Sequence, residues 1–202
     1  MKSLSILFAF AFCIACTACS NDSGEAVRPS ASVSPERTTF QDVKEQTVRN
    51  PKDAEAWYHL ASLYEDARMY PEEIETLTKV IALAPDKGYA YVKLGTAYNR
   101  IGRYADAVRA FSHAKKFYPK NPLIYNNQAV SYGMIGKHSE EIQELEKAIA
   151  LRPHYATARY NLGMVLLKQG KRDAAMRQYR ALLEFDITTA ASLKKELDTE
   201  RK

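Results

Sequence analysis

Two tetrapeptides in this chain have the spacing of an acylating serine. Ser112-His113-Ala114-Lys115 and Ser192-Leu193-Lys194-Lys195 both read S-x-x-K. In that arrangement a base one helical turn away activates the hydroxyl for attack on an acyl carbon. The chemistry also needs the companion motifs S-D-N and K-T-G, and neither occurs. The four histidines, His59, His113, His138 and His154, are scattered along the chain. None has the paired i, i+4 spacing or the H-E-x-x-H context of a zinc site. No glycine-rich phosphate loop is present either. These residue types give no catalytic, metal or cofactor site, and an enzyme is not expected.

The cysteines point elsewhere. Cys13, Cys16 and Cys19 crowd the start of the chain and none follows, which excludes a disulfide framework for the rest. Residues 1–18 combine Lys2, an apolar run over Leu4–Ala15 and the small Ala18, the composition of an export signal. The run is too short to span a membrane, which takes about 20 apolar residues. Cys16-Thr17-Ala18-Cys19-Ser20 resembles a bacterial lipoprotein cleavage box, with Cys16 where leucine is usual. The resemblance implies that Cys19 becomes an acylated amino terminus, with Cys16 as the second candidate. Ordinary signal-peptidase cleavage beside an incidental cysteine is the bland alternative. Ser20, in place of an aspartate, implies the outer membrane of a diderm host. Residues 19–38 are rich in Ser, Pro and Ala and cannot bury enough surface to fold. As a coil they span roughly 25 Å root-mean-square.

Beyond this tether the chain is periodic. Pro51, Pro85, Pro119 and Pro153 recur every 34 residues, as do Gly102, Gly136 and Gly170, and Tyr64, Tyr98 and Tyr132. Ala61, Gly95, Ala129 and Gly163 form a small column in the same phase. Within a period the apolar residues step by three and four: Tyr91, Leu94 and Tyr98, then Tyr104, Ala107, Val108, Phe111, Ala114 and Phe117. This predicts two helices per unit, parted by a glycine that leaves the helical region and closed by a proline. A repeat this short stacks on its neighbours to bury its apolar face.

The columns carry a family resemblance. Trp57, Leu60, Ala61 and Tyr64, and then Leu94, Gly95, Tyr98, Ala107, Phe111, Ala114 and Pro119, resemble the tetratricopeptide repeat. Tyr125, Ala129, Tyr132, Leu145, Ala148 and Pro153 are similar, and so are Leu162, Gly163, Ala175 and Tyr179. The resemblance covers about two-thirds of the chain. It implies an all-α, right-handed solenoid of four helix-turn-helix hairpins: 54–87, 88–121, 122–155 and 156–187. A leading helix is expected in 39–53, from Phe40, Val43 and Val48, and a capping helix in 188–202, from Ala190, Leu193 and Leu197. Glu73 and Glu141 stand where the family has alanine, and Arg68 where it has the hairpin glycine. Both glutamates are expected to snorkel toward solvent.

In such arrays the first helices line a concave groove. Carried over by column, its face holds Tyr58, Ser62 and Glu65; Tyr89, Val92, Thr96 and Asn99; Leu123, Asn126, Val130 and Gly133; and Thr157, Tyr160, Met164 and Leu167. The next column is His59, Lys93, Asn127 and Asn161. An amide both donates and accepts, so Asn126, Asn127 and Asn161 suit a peptide backbone, and tyrosines suit interfaces. A chaperone-tail clamp would need lysine and arginine on this face and is not expected.

The net charge is +5, unevenly spread. The first repeat is acidic (Glu55, Glu65, Asp66, Glu72, Glu73, Glu75) and the second basic (Lys87, Lys93, Arg100, Arg103, Arg109, Lys115, Lys116, Lys120). Such polarity serves repeat orientation, attraction to an anionic surface, or solubility alone. The expectation is an exported, lipid-anchored adaptor that binds a peptide or helix of another envelope protein, and no nucleic acid. A pilotin-like role in assembling a pilus or secretion pore is one alternative. A cell-wall or anionic-surface regulator using the basic second repeat is another. Self-association through an exposed repeat face stays open.

Overall fold

The computed structural model describes residues 39–199. The expected signal, Cys19, the whole tether and residues 200–202 lie outside the described residues. Ten helices follow one another: α1 (Phe40–Arg49), α2 (Ala54–Asp66), α3 (Tyr70–Leu83), α4 (Gly88–Arg100), α5 (Tyr104–Phe117), α6 (Pro122–Met134), α7 (His138–Leu151), α8 (Ala156–Lys168), α9 (Arg172–Leu183) and α10 (Ile187–Thr199). Each packs on the helix before and after it, and α10 returns to pack on both α8 and α9. The architecture is an α-solenoid. Its first helices are α2, α4, α6 and α8, and its second helices are α3, α5, α7 and α9.

Local signals set the boundaries. Thr39 and Asp42 form a capping box on α1, and Asp53 accepts from the Glu55 and Ala56 N–H groups at the start of α2. Asn121 caps α6 in the same way. Between the helices of each hairpin one residue takes positive φ: Gly102 at 76°, Gly136 at 74°, Gly170 at 71°, and Arg68 at 58° in the first. A side chain is strained there. Arg68→Gly is therefore expected to raise stability by up to about 1 kcal/mol, net of glycine's larger unfolded entropy. Chemical denaturation of the paired proteins measures it, and a loss would mean that the Arg68 side chain contributes more than its backbone costs.

Packing follows the small column. A Cβ at Gly95 would lie 2.8 Å from the Phe111 ring, and one at Gly163 would lie 2.6 Å from Leu193. Helix pairs thus approach closely, and one large side chain fills each gap. Ala190, Leu193 and Leu197 are fully buried and close the far end of the stack. At the near end Val43 and Thr47 are buried, whereas Val48 is 75% exposed. The i, i+4 partner of Val43 is Thr47, so the expected Val48 contact is replaced by a threonine whose hydroxyl donates to the Lys44 carbonyl. The last helix begins at Ile187 rather than at residue 188. All three core clusters lie between Val43 and Leu197, so this segment carries its own core, as an independently folding domain does.

Candidate functional site

The first helices meet along three seams, and the same register position is occupied differently at each. Between α2 and α4, Glu65 pairs with Lys93, which also donates to the Ser62 hydroxyl at 3.3 Å. Burial opposes the Lys93 charge, but Glu65 and the neighbouring Tyr58 and Glu73 outweigh it and hold its pKa above the usual lysine value. Tyr58 meets the Tyr89 ring edge-on at 4.4 Å. Tyr89 donates its hydroxyl to Glu55 at 3.0 Å, beside the Lys87–Glu55 pair at 2.8 Å. This seam is closed by charge.

One repeat later Asn99 takes the place of Glu65, and Asn127 that of Lys93. The Asn99 amide donates to the Asn127 carbonyl at 3.4 Å and accepts from the Ser131 hydroxyl at 2.8 Å. This seam is closed by amides. One repeat later again the position holds Gly133, which has no side chain to offer. Between α6, α7 and α8 a cavity of about 280 Å3 remains, walled by Val130, Gly133 and Met134 of α6, His138, Glu141 and Leu145 of α7, and Asn161, Met164, Val165 and Lys168 of α8. Val130 is 40% and Met134 58% exposed. The third seam is open.

Three amides join across that seam. Asn126 donates to the Asn127 side chain at 3.3 Å and accepts from Asn161 at 3.1 Å. The central amide uses one donor and one acceptor, so its two neighbours are left with opposite ends outside this chain of bonds. One presents an N–H and the other a C=O, whichever way the chain of bonds runs.

Several sequence-based placements change here. Asn126 is 5% exposed and does not line the face, because its column points at the next first helix, as Tyr58 points at Tyr89. Leu167 is likewise buried, and Tyr160 packs against the core beside α10's cluster. Thr96 turns its hydroxyl back to the Val92 carbonyl. Asn127, Val130, Asn161 and Met164 gather at the open seam, while Tyr58, Tyr89, Val92, Thr96 and Asn99 lie along the two closed ones. Ser131 and Met134 were missed, since only the seam register reveals them. Glu73 does not snorkel: it is 2% exposed and lines a cavity together with the α4 residues Thr96 and Ala97. Its counterpart Glu141 accepts from the His138 ring Nδ1–H at 2.9 Å.

The chemistry-bearing candidates are absorbed by packing. Ser112 donates to the Val108 carbonyl and accepts from Gln128 at 2.8 Å, while Lys115 pairs with Glu144. His113 stacks on Tyr91 and His154 contacts Phe185. No metal-binding group of three or more His, Cys, Asp or Glu side chains occurs among the described residues. Much of the second repeat's positive charge is also engaged: Lys87 and Lys93 with the first repeat, Lys115 with the third, and Arg103 and Arg109 with Asp106.

Family models agree with this architecture. Tetratricopeptide repeat models match residues 54–87, 74–122 and 156–186, and a TPR repeat model matches residues 135–170. The chain belongs to the tetratricopeptide repeat family. Among solved structures, this tetratricopeptide chain is similar to MamA (25% identity, TM-score 0.72, covering 75% of this chain and 89% of that one). It also shares its fold with TTC0263, a thermophilic TPR protein of Thermus thermophilus (22% identity, TM-score 0.59, 78% and 88% covered). A third neighbour is YrrB, described as a TPR protein with an unusual peptide-binding site (19% identity, TM-score 0.64, 79% and 86% covered). No curated protein matches the chain. As a tetratricopeptide protein it is a scaffold for protein–protein interaction.

Proposed function

We propose that this protein is an exported, lipid-anchored adaptor that holds an extended peptide or helix of another envelope protein along its first-helix face. The observation that carries this reading is the open third seam. Two methionines, Met134 and Met164, flank a cavity of about 280 Å3 beside the amides of Asn127 and Asn161. Methionine adapts to the shape of an incoming apolar side chain. The opposite free ends of the two amides match the C=O and N–H of one peptide unit. A partner side chain enters the cavity while its backbone rests on the amides.

Val130→Ser combined with Met134→Ser tests the reading. Both side chains are exposed, so folding should change by no more than about 0.5 kcal/mol each. An anchor pocket in an interface contributes about 2 kcal/mol or more. The double variant should therefore melt close to the parent yet lose, in affinity purification from envelope extract, the protein that the parent retains. Unchanged retention would move the site away from this seam. Retention that fades for parent and variant alike at moderate salt would favour the basic second repeat, whose Lys116 and Lys120 take part in no ion pair among the described residues.

The anchor has its own test. Cys19→Ala should leave the full chain uncleaved or soluble, read by fractionation and gel mobility. A variant that stays in the membrane fraction with parental mobility would assign the role to Cys16 or remove the lipid from the proposal.

A further inference from the structure

The register position that is open at the third seam has a counterpart at the first, where a smaller cavity of about 180 Å3 lies between α2, α3 and α4. Its lining is mostly polar. Glu65, Asp66 and Glu73 bring three carboxylates, Tyr70 and Thr96 bring hydroxyls, and Arg68 and Arg100 bring guanidinium groups. Glu73 is 2% exposed, and its Oε2 has no hydrogen-bond partner. A buried carboxylate oxygen without a donor is costly, and the other members of its column show how the cost is avoided. Ala107 and Ala175 are fully buried and apolar, while Glu141 is bonded to His138. At Glu73 neither solution is present.

The nearby cations do not complete the site. Lys93 is committed to Glu65 and Ser62. Arg100 is exposed and acts on Glu73 through space without a hydrogen bond, and Arg68 is exposed at the turn. Burial first, and then the charge of Glu65, push the Glu73 carboxyl up to about 7 against the opposing charges of Lys93 and Arg100. We propose that this cavity receives a single ammonium group, presented by a lysine side chain of the partner segment. The source of the ammonium rests on the groove reading above, since Glu65 and Thr96 belong to both the cavity and the first-helix face. An ammonium is compact and offers three donors. Glu73 Oε2 and the Tyr70 oxygen are acceptors from α3, and the Thr96 oxygen is an acceptor from α4. Thr96 has its proton committed to the Val92 carbonyl, which leaves its lone pairs to accept. An anionic group would face three carboxylates, and the set lacks the geometry of a metal site.

The experiment uses residues 39–202 and n-butylammonium chloride as the probe, with n-butanol and sodium chloride as matched controls. Carbon-detected NMR follows the Glu73 side-chain carboxyl through a pH titration. Butylammonium should lower the Glu73 midpoint by roughly one unit and shift α3 and α4 amide signals, and neither control should do so. In Glu73→Gln the amide shifts should vanish, while the spectrum otherwise reports the same fold. A midpoint unmoved by butylammonium, or moved equally by sodium chloride, overturns the proposal. So do amide shifts that persist in Glu73→Gln. Because the probe is a free ammonium, a negative result removes this receptor and leaves the open-seam reading standing. Loss of the open-seam reading in purification would leave the receptor without its assigned donor but measurable by the same titration.

Discussion

Phe111→Ala should cost residues 39–202 about 3–5 kcal/mol of stability, read as a lowered urea midpoint. The ring is fully buried and fills the space that Gly95 leaves between α4 and α5. Removing it empties a void that the glycine cannot refill. Position matters as well as volume. Repeats are stabilised chiefly by their neighbours, and Phe111 lies in a central hairpin, so its loss should also loosen the coupling between the two halves. A smaller m-value than the parent's would report that loss of cooperativity. A cost under about 1.5 kcal/mol would mean that the neighbouring side chains collapse into the gap.

The second large effect is a slope in pH. Glu73 has a folded pKa of about 7 against a reference value of 4.5. Below the reference value both states hold the proton and nothing is lost. Between 4.5 and 7 the unfolded chain releases its proton while the folded chain retains it, so stability falls as pH rises. Above about 7 both states are ionised and the slope ends. The loss across this window is on the order of 3 kcal/mol at most. Glu73→Gln should remove it, so the stability difference between parent and variant should widen from about pH 5 to about pH 8 in favour of the variant. A constant difference across that range would show that the carboxyl ionises freely in the native protein.

Nearly all of the helical architecture was legible because it is written redundantly. Proline, glycine, tyrosine and small-residue columns all fall in one phase, and each marks the same hairpin from a different physical cause. The site was legible only in part. Periodicity identifies the face of a helix, but not how neighbouring faces satisfy one another. Asn126 and Asn127 are adjacent in sequence, and the roughly 100° between them sends one into the seam and leaves the other on the face. Glu73 could be recognised as foreign to its column. Its burial appears only once α4 packs on α3. At the third seam Gly133, which looked like one more small residue on a first helix, makes room for the Glu141 carboxylate.

The pairing of Glu55 with Lys87, Glu65 with Lys93, and Lys115 with Glu144 has a consequence for how this array tolerates rearrangement. A solenoid with uniform joints accepts loss or duplication of a unit, because any unit fits any other. Here removal of residues 88–121 would leave Glu55 its Lys87 but bring Glu65 against Asn127, which carries no positive charge. Lys115 would be lost along with the counter-ion it gives Glu144. The backbone is interchangeable from unit to unit, whereas the joints of the second repeat with the first and third are keyed by charge. The linear order of the repeats is thus favoured by charge at the two joints that carry such pairs.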